Sequence, residues 1–171
     1  MRATRRIPTV IAMATSRSFT AGLLRSSSRA YASATLNTLN AAWPSLVDTS
    51  LPKTFARPID DIEVRILQIA GSVAVGRSSL LADVLAWYKV AFHHRDVPAA
   101  YLGATLEAIE KTLEQEMPSD AFELVRAELQ AAAASLDAAP FEQPSHLDRS
   151  APHGETAMRF LLANLEGRGA V

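Results

Sequence analysis

The sequence predicts an all-α fold, a bundle of about five to six helices, and three observations support this prediction. Apolar residues recur every three or four positions over most of the chain from residue 59 onward. No stretch alternates apolar and polar residues as a half-buried strand would. Prolines and a glycine separate the periodic stretches, at positions where helices commonly end. With 171 residues, 49% of them apolar and 20% charged, the chain is long enough to bury one core.

Residues 1–40 predict a disordered or presequence-like extension. Residues 1–47 contain six arginines and no acidic residue, and they are rich in serine, threonine and alanine. This composition is typical of an unstructured extension or of an organellar presequence, and a first helix of the fold remains an alternative. The other 11 of the 17 basic residues and all 18 acidic residues lie in 48–171, a balance of −7. A body this acidic argues against nucleic acid as a partner.

The first periodic stretches lie on either side of a proline-containing connector. Leu36–Val47 is interrupted by Pro44 and predicts a short helix or a docking strip. Ile59–Val75 predicts a longer helix, because isoleucines and valines recur on one face and acidic residues occupy its first turn. Gly76 is well placed to cap the carboxyl end of that helix.

The stretch Ser79–Tyr101 has the strongest apolar periodicity, and we expect it to form the central, most buried helix. Its apolar residues form two adjacent rows, Leu81, Leu85, Tyr88 and Phe92 in one and Leu80, Val84, Trp87 and Ala91 in the other. Ser78 or Ser79 can cap its start, and Pro98 ends it.

Two further helices follow, over Ala99–Glu116 and Ala121–Leu136, separated by a proline-containing stop. Residues 137–154 contain three prolines and predict an extended connector, and Glu155–Glu166 predicts a last helix. These elements indicate one helical domain over residues 41–150 and a C-terminal helix over residues 151–171.

No residue constellation for catalysis is present, so we do not expect an enzyme. His94-Arg95-Asp96 matches the core of a kinase catalytic loop but lacks its companion motifs, and the chain has no cysteine. A haem-binding alternative would depend on His93 or His94, which otherwise suit the end of a helix. No apolar run is long enough for a membrane span. A cytoplasmic location is expected, with organellar targeting by the N-terminus as the alternative.

The candidate binding residues are Arg65, Trp87, Tyr88 and Lys89. If the helices Ile59–Val75 and Leu80–Arg95 pack antiparallel across Gly76, Arg65 lies near the aromatic residues of the second helix. Aromatic walls with one or two cations suit a planar ligand that carries carboxylates. Ordinary core packing of Trp87 and Tyr88 is the alternative interpretation.

Several segments resemble the photoglobin family, globin-like domains without haem that occur beside cobalamin-binding domains in bacterial light sensors. These segments are Asp61–Leu67 (DIEVRIL), Leu85–Val90 (LAWYKV), Arg95–Leu102 (RDVPAAYL), Leu106–Ile109 (LEAI) and Phe141–Pro152 (FEQPSHLDRSAP). Arg65 takes the place of a histidine that is usual in the family. The resemblance covers roughly two thirds of the chain, and Ala157–Val171 resembles the first helix of a truncated cobalamin-binding module.

The resemblance implies a globin-like bundle that acts as a sensory, signalling module of a light-sensing protein. It implies that Arg65, Trp87, Tyr88 and Lys89 contact a linear tetrapyrrole such as biliverdin, and that a cobalamin-binding or signalling-output domain is the partner. Cobalamin itself is not expected to bind, because the chain lacks the Asp-x-His-x-x-Gly loop. The alternative is a non-catalytic interaction module that has lost ligand binding and forms a homodimer through Ala131–Ala134.

Overall fold

The computed structural model describes residues 9–48 and 57–141, together with residues 155, 156 and 159. Over these residues the chain forms seven helices and no strand, which confirms the predicted all-α class. The helices are α1 (Thr9–Ser26), α2 (Ser28–Ala42), α3 (Pro44–Asp48), α4 (Pro58–Val75), α5 (Ser78–His93), α6 (Ala99–Glu116) and α7 (Ser119–Ala138). In the described part of the chain, no helix combines the length and the apolar character that crossing a membrane requires.

The central helix is α4, because it packs against α1, α2, α5 and α7. Its inner face is fully buried and consists of Ile62, Arg65, Ile66, Ile69, Ala70 and Val73. The prediction that α5 is the central helix is wrong. Only one of its two apolar rows faces the core, so Leu81, Leu85 and Phe92 are buried while Leu80 and Trp87 are exposed. Apolar periodicity shows that a helix has apolar faces, but it does not show how many of those faces pack against other helices.

The N-terminal residues belong to the fold, and the prediction of a disordered extension over residues 1–40 is corrected from residue 9 onward. Residues 9–42 form α1 and α2, with α1 packed on α4 and α7 and α2 on α4 and α6. Leu24, Ala32 and Leu39 have no exposed surface. Because buried apolar area is the main source of stability, the fold depends on these helices. The domain therefore starts well before the predicted boundary at residue 41.

Arg17 holds α1 against the carboxyl end of α4 and the middle of α7. Its Nη1 donates to Glu128 Oε1 at 3.0 Å and to the carbonyl oxygen of Val73 at 3.3 Å. Ser72 donates to the second oxygen of Glu128 at 2.7 Å, so this buried carboxylate is paired on both sides. A buried charge is tolerated when it is paired and hydrogen-bonded in this way. These four residues, Arg17, Ser72, Val73 and Glu128, form what we call the Arg17 clamp.

A second polar contact joins α2 to the first turns of α4. The guanidinium of Arg29 contacts Asp60 Oδ1 at 2.6 Å and Glu63 Oε2 at 2.9 Å, and Ser28 donates to Glu63 Oε1 at 3.1 Å. The hydrogen bond from Arg29 holds the pKa of the Asp60 carboxyl below its ordinary value. Together with the Arg17 clamp, this contact holds α1 and α2 against α4.

Two helix ends use the same backbone motif, one with glycine and one with aspartate. Gly76 ends α4 with φ of 66°, as predicted, and its N–H donates to the carbonyl of Ser72 at 2.8 Å. Asp96 has φ of 54° after α5, and the N–H of Val97 returns to the carbonyl of Phe92 at 3.0 Å. Left-handed backbone is strained for a residue with a Cβ, although aspartate tolerates it better than most.

The start of α5 differs from the prediction that Ser78 or Ser79 caps it. The helix begins at Ser78, and Arg77 occupies the capping position without a side-chain hydrogen bond. Pro98 and Pro118 directly precede α6 and α7, but α5 ends at His93, so the prediction that Pro98 ends it is wrong. Pro44 likewise starts α3, so the stretch Leu36–Val47 is divided between two helices.

Residues 142–171 form a second compact unit, of which the structure describes three residues. Glu155, Thr156 and Arg159 are helical, and Arg159 Nη2 lies 2.7 Å from Glu155 Oε1. The rest of the predicted C-terminal helix, and the proline-rich connector beyond Phe141, lie outside the described residues.

Candidate functional site

Arg65 is the most unusual residue of the core, because it is a large cation with almost no exposed surface. Its side chain is 1% exposed, at the centre of α4. The guanidinium pairs with Asp61, which is four residues earlier and therefore on the same helix face. Burial raises the pKa of the Asp61 carboxyl, and the neighbouring Arg65 cation opposes that rise.

Three aromatic rings surround the guanidinium of Arg65. Its Cζ lies 4.9 Å from the ring centroid of Tyr88, 5.3 Å from that of Phe92 and 5.9 Å from that of Tyr101. The rings also contact each other, with centroids 5.5 Å apart for Tyr88 and Phe92. A desolvated cation over an aromatic face gains roughly 2 kcal/mol. The rings therefore offset part of the cost of burying this charge, and burial raises the pKa of Tyr101.

The hydrogen-bonding groups around Arg65 are incompletely used. Among the described residues, its Nε and Nη2 find no acceptor, and the buried acceptor Oε1 of Gln68 finds no donor. Gln68 Nε2 donates to the hydroxyl of Tyr88 at 3.4 Å, a long contact. The Asp61 carboxylate accepts one N–H group of a guanidinium that has five, so the charge of Arg65 is balanced while donor groups remain.

A cavity of about 290 Å³ lies beside this cluster. Its wall consists of Lys89, Phe92, His93, Asp96, Val97, Leu102 and Phe141. Phe92 belongs to both features, since its ring contacts Arg65 and lines the cavity. The rings and aliphatic side chains supply apolar surface, while Lys89 supplies a cation and Asp96 an anion.

Lys89 lies between the cavity and the carboxyl end of α7. Its Nζ donates to the carbonyl oxygens of Leu136 at 2.9 Å, Asp137 at 3.4 Å and Ala139 at 2.7 Å. It also lies 4.4 Å from the ring centroid of Phe141. A cation at this end of a helix satisfies terminal carbonyls and complements the helix dipole.

The structure places the four predicted binding residues in three different environments. Arg65 and Tyr88 meet in the buried cluster, and Lys89 lines the cavity. Trp87 is 53% exposed and contacts the edge of Tyr88, with ring centroids 5.3 Å apart. The expected wall, with Trp87 and Lys89 facing Arg65, is therefore wrong. Neighbouring residues on a helix diverge by about 100°, and Tyr88 is the one that faces α4.

Sequence reasoning missed Asp61, Phe92, Tyr101, Asp96 and Phe141 as parts of this region. Asp61 carried a signal, because it lies four residues before an arginine on a periodic helix. Phe141 carried none, since its place depends on how the chain continues after α7.

The histidines named for the haem alternative lie at the end of α5. His93 lines the cavity, with its ring 5.6 Å from that of Phe141, and His94 is exposed beside it. Across residues 9–48 and 57–141, no group of three histidine, aspartate or glutamate side chains is arranged to hold a metal ion.

Comparisons of the chain with protein-family models, with curated proteins and with solved structures returned no match. The resemblance to the photoglobin family, and with it the globin-like character of the bundle, stays a prediction.

Proposed function

We propose that this domain is a non-catalytic sensory module that binds a planar, carboxylate-bearing ligand in the cavity beside Lys89. The observation that carries the proposal is the cavity wall, which combines the rings of Phe92 and Phe141 with the ammonium of Lys89. Ligand sites are concave and mostly apolar, with a few polar groups that fix orientation.

The ligand that we propose is a linear tetrapyrrole such as biliverdin, which the photoglobin resemblance selects. Its pyrrole rings suit the aromatic wall, and its propionates suit Lys89. A cavity of about 290 Å³ lies just below the range of roughly 300 to 1,000 Å³ for ligand sites. One part of a tetrapyrrole is therefore enclosed, and the remaining rings lie outside the cavity mouth. The output partner would be a cobalamin-binding or signalling domain, as the resemblance implies.

Titration of the purified chain with biliverdin, followed by visible absorption, tests this function. We expect a shifted red band and saturable binding. Phe141→Ala removes a ring that lines the cavity and is 47% exposed, so the fold tolerates the change. Losing its contact area weakens binding by roughly tenfold or more. Phe19→Ala is the matched control, because Phe19 is 62% exposed on α1 and does not line the cavity.

Two results would contradict the proposal in different ways. In the first, biliverdin does not bind, whereas 2-naphthoate, a smaller planar carboxylate, binds to the wild type and binds more weakly to Phe141→Ala. The cavity is then a ligand site, and the tetrapyrrole is the wrong ligand. If neither compound binds, or if Phe141→Ala and Phe19→Ala bind alike, the cavity is not the ligand site.

A second candidate function, a module that pairs with another copy of this chain, is favoured by exposed apolar residues on α4 and α5. These residues are Val64, Leu67 and Val75 on α4 and Leu80 and Trp87 on α5. The predicted dimer face at Ala131–Ala134 is less suitable, because Ala132 is buried in the core. Sedimentation over a range of concentrations, with Trp87→Ser as the variant, tests this function. A monomer at every concentration would exclude it.

A further inference from the structure

Lys89 has no hydrogen-bond donor to spare. A lysine ammonium has three N–H donors and accepts no hydrogen bond. All three are directed to carbonyl oxygens at the end of α7, those of Leu136, Asp137 and Ala139. The same Nζ belongs to a side chain that lines the cavity. A carboxylate that enters the cavity and accepts a hydrogen bond from Lys89 must therefore replace one of these three carbonyl oxygens as the acceptor.

The end of α7 depends on this contact. The last carbonyls of a helix have no partner within the helix. Among the described residues, α7 has no basic side chain in its last turn, and Ala139 continues in extended backbone rather than in a left-handed cap. The N–H of Ala139 donates to the carbonyl of Leu136 at 3.2 Å, which is an ordinary neutral bond. Lys89, from a different helix, supplies the charged donor that α7 lacks.

Phe141, three residues beyond α7, also contacts the ammonium of Lys89. Phe141 has its ring 4.4 Å from Lys89 Nζ and 5.6 Å from the ring of His93, and it forms part of the cavity wall. Ala133, Ala134, Asp137 and Ala138 are exposed, so the last turns of α7 have few buried contacts to hold them. Low local burial is the property of segments that open without global unfolding.

We propose that Lys89 couples occupation of the cavity to the end of α7. A ligand carboxylate withdraws the ammonium from the carbonyls of Leu136, Asp137 and Ala139 and releases the last turn of the helix. This coupling rests on the proposed function, since it needs an anionic ligand in the cavity. The chain continues from the released segment into residues 142–171, the second compact unit, so the segment is suited to transmit the binding event.

Amide hydrogen exchange of the full chain, measured by mass spectrometry over residues 132–141, tests the coupling. The two ligands are biliverdin and biliverdin dimethyl ester, which has the same rings without the two carboxylates. With biliverdin we expect exchange at residues 136–141 to accelerate by roughly tenfold, as for loss of a charge-assisted hydrogen bond. With the ester we expect binding without acceleration.

Lys89→Met keeps an unbranched side chain, one atom shorter, and removes the ammonium. We expect its exchange at residues 136–141 to be fast without ligand and to change no further when biliverdin is added. Circular dichroism verifies that the variant is folded, and peptides around Thr38, where α2 contacts α6, serve as an internal reference that stays unchanged.

The outcomes separate the coupling from the proposed function. If biliverdin binds and exchange at residues 136–141 stays the same or slows, the coupling is wrong and ligand binding stands. If the ester accelerates exchange as much as the acid, competition for the ammonium is not the cause and the coupling is also wrong. If neither compound binds, the proposed function fails and the coupling fails with it.

Discussion

Removal of Arg65 and Asp61, one at a time and together, tests whether the core is organised around a paired charge. The three variants are Arg65→Met, Asp61→Leu and the double substitution. In the folded protein the Arg65 side chain is 1% exposed and the Asp61 side chain is 15% exposed, so neither charge is well solvated. Each single variant therefore leaves one buried charge without its partner.

The expected magnitudes differ between the two single variants. Asp61→Leu strands the Arg65 cation, which cannot lose its proton, and costs about 3 to 5 kcal/mol of unfolding free energy. Arg65→Met strands the Asp61 carboxylate at neutral pH and costs about 3 kcal/mol. The double variant replaces both charges by apolar groups and is expected to lie within about 1 kcal/mol of the wild type. The coupling energy of the cycle is then at least about 5 kcal/mol.

The pH dependence separates these two variants further. Burial raises the pKa of Asp61, and Arg65→Met removes the cation that opposes the rise. A carboxyl whose pKa is higher in the folded state binds more protons there, so its destabilising effect fades as the pH falls through that pKa. The cost of Arg65→Met therefore decreases in acid. The cost of Asp61→Leu persists to lower pH, until Asp61 of the wild type is itself protonated, because the guanidinium stays charged throughout.

Urea unfolding followed by circular dichroism measures these free energies. The matched control is the exposed pair Arg126 and Glu123, whose side chains are 41% and 56% exposed, with an expected coupling below about 0.5 kcal/mol. A coupling for Arg65 and Asp61 below about 1 kcal/mol would refute the reasoning, because it would mean that water reaches the guanidinium in the folded protein.

Three further predictions concern stability. Leu24→Ala should cost about 2 to 5 kcal/mol in urea unfolding, because Leu24 has no exposed surface, whereas Phe19→Ala on the same helix should cost less than about 0.5 kcal/mol; equal small costs would mean that α1 is not part of the core. Asp96→Gly should raise the thermal midpoint, since it relieves left-handed strain of up to about 1 kcal/mol, and a lower midpoint would show that the carboxylate contributes more than the strain costs. Arg29→Ala should flatten the acid dependence of stability. The lowered pKa of Asp60 makes a contribution to folding stability that is present above the unfolded pKa of about 3.9 and is lost as the pH falls through the folded pKa. An unchanged pH profile of the thermal midpoint would contradict this.

Helices α4 to α7 could be predicted from the sequence because local chemistry specifies their ends. Gly76 adopts the left-handed conformation that ends α4, and Pro98 and Pro118 separate the next three helices. Each of these signals acts within one turn of the chain, so it needs no knowledge of the tertiary structure.

Helices α1 and α2 could not be predicted because long-range contacts hold them. Their buried surface includes small and polar residues such as Thr20, Ala32 and Thr35, which weaken an apolar repeat. Arg17 and Arg29 look like the charges of a targeting segment until their acidic partners on α7 and α4 are known. Composition gives the number of charged residues and does not show which of them form ion pairs.

The candidate site was predicted in part for a similar reason. The sequence correctly indicated that the stretch around Tyr88 lies next to Arg65. Which ring faces α4 depends on how α5 is rotated about its axis, and the sequence did not give that rotation. The contact of Lys89 with the end of α7 joins residues 47 to 50 positions apart, so no local pattern could indicate it.

The Arg17 clamp also has a consequence for how the protein is made. Arg17 and Glu128 are 111 residues apart, so at about 5 to 20 residues per second the ribosome adds Glu128 roughly 5 to 20 seconds after Arg17. α1 lacks α4 for about the first half of that interval and lacks α7 throughout it, so part of its apolar face is open to other molecules. Chaperones and proteases therefore have access to the N-terminal helix of the nascent chain before α7 is available to cover it.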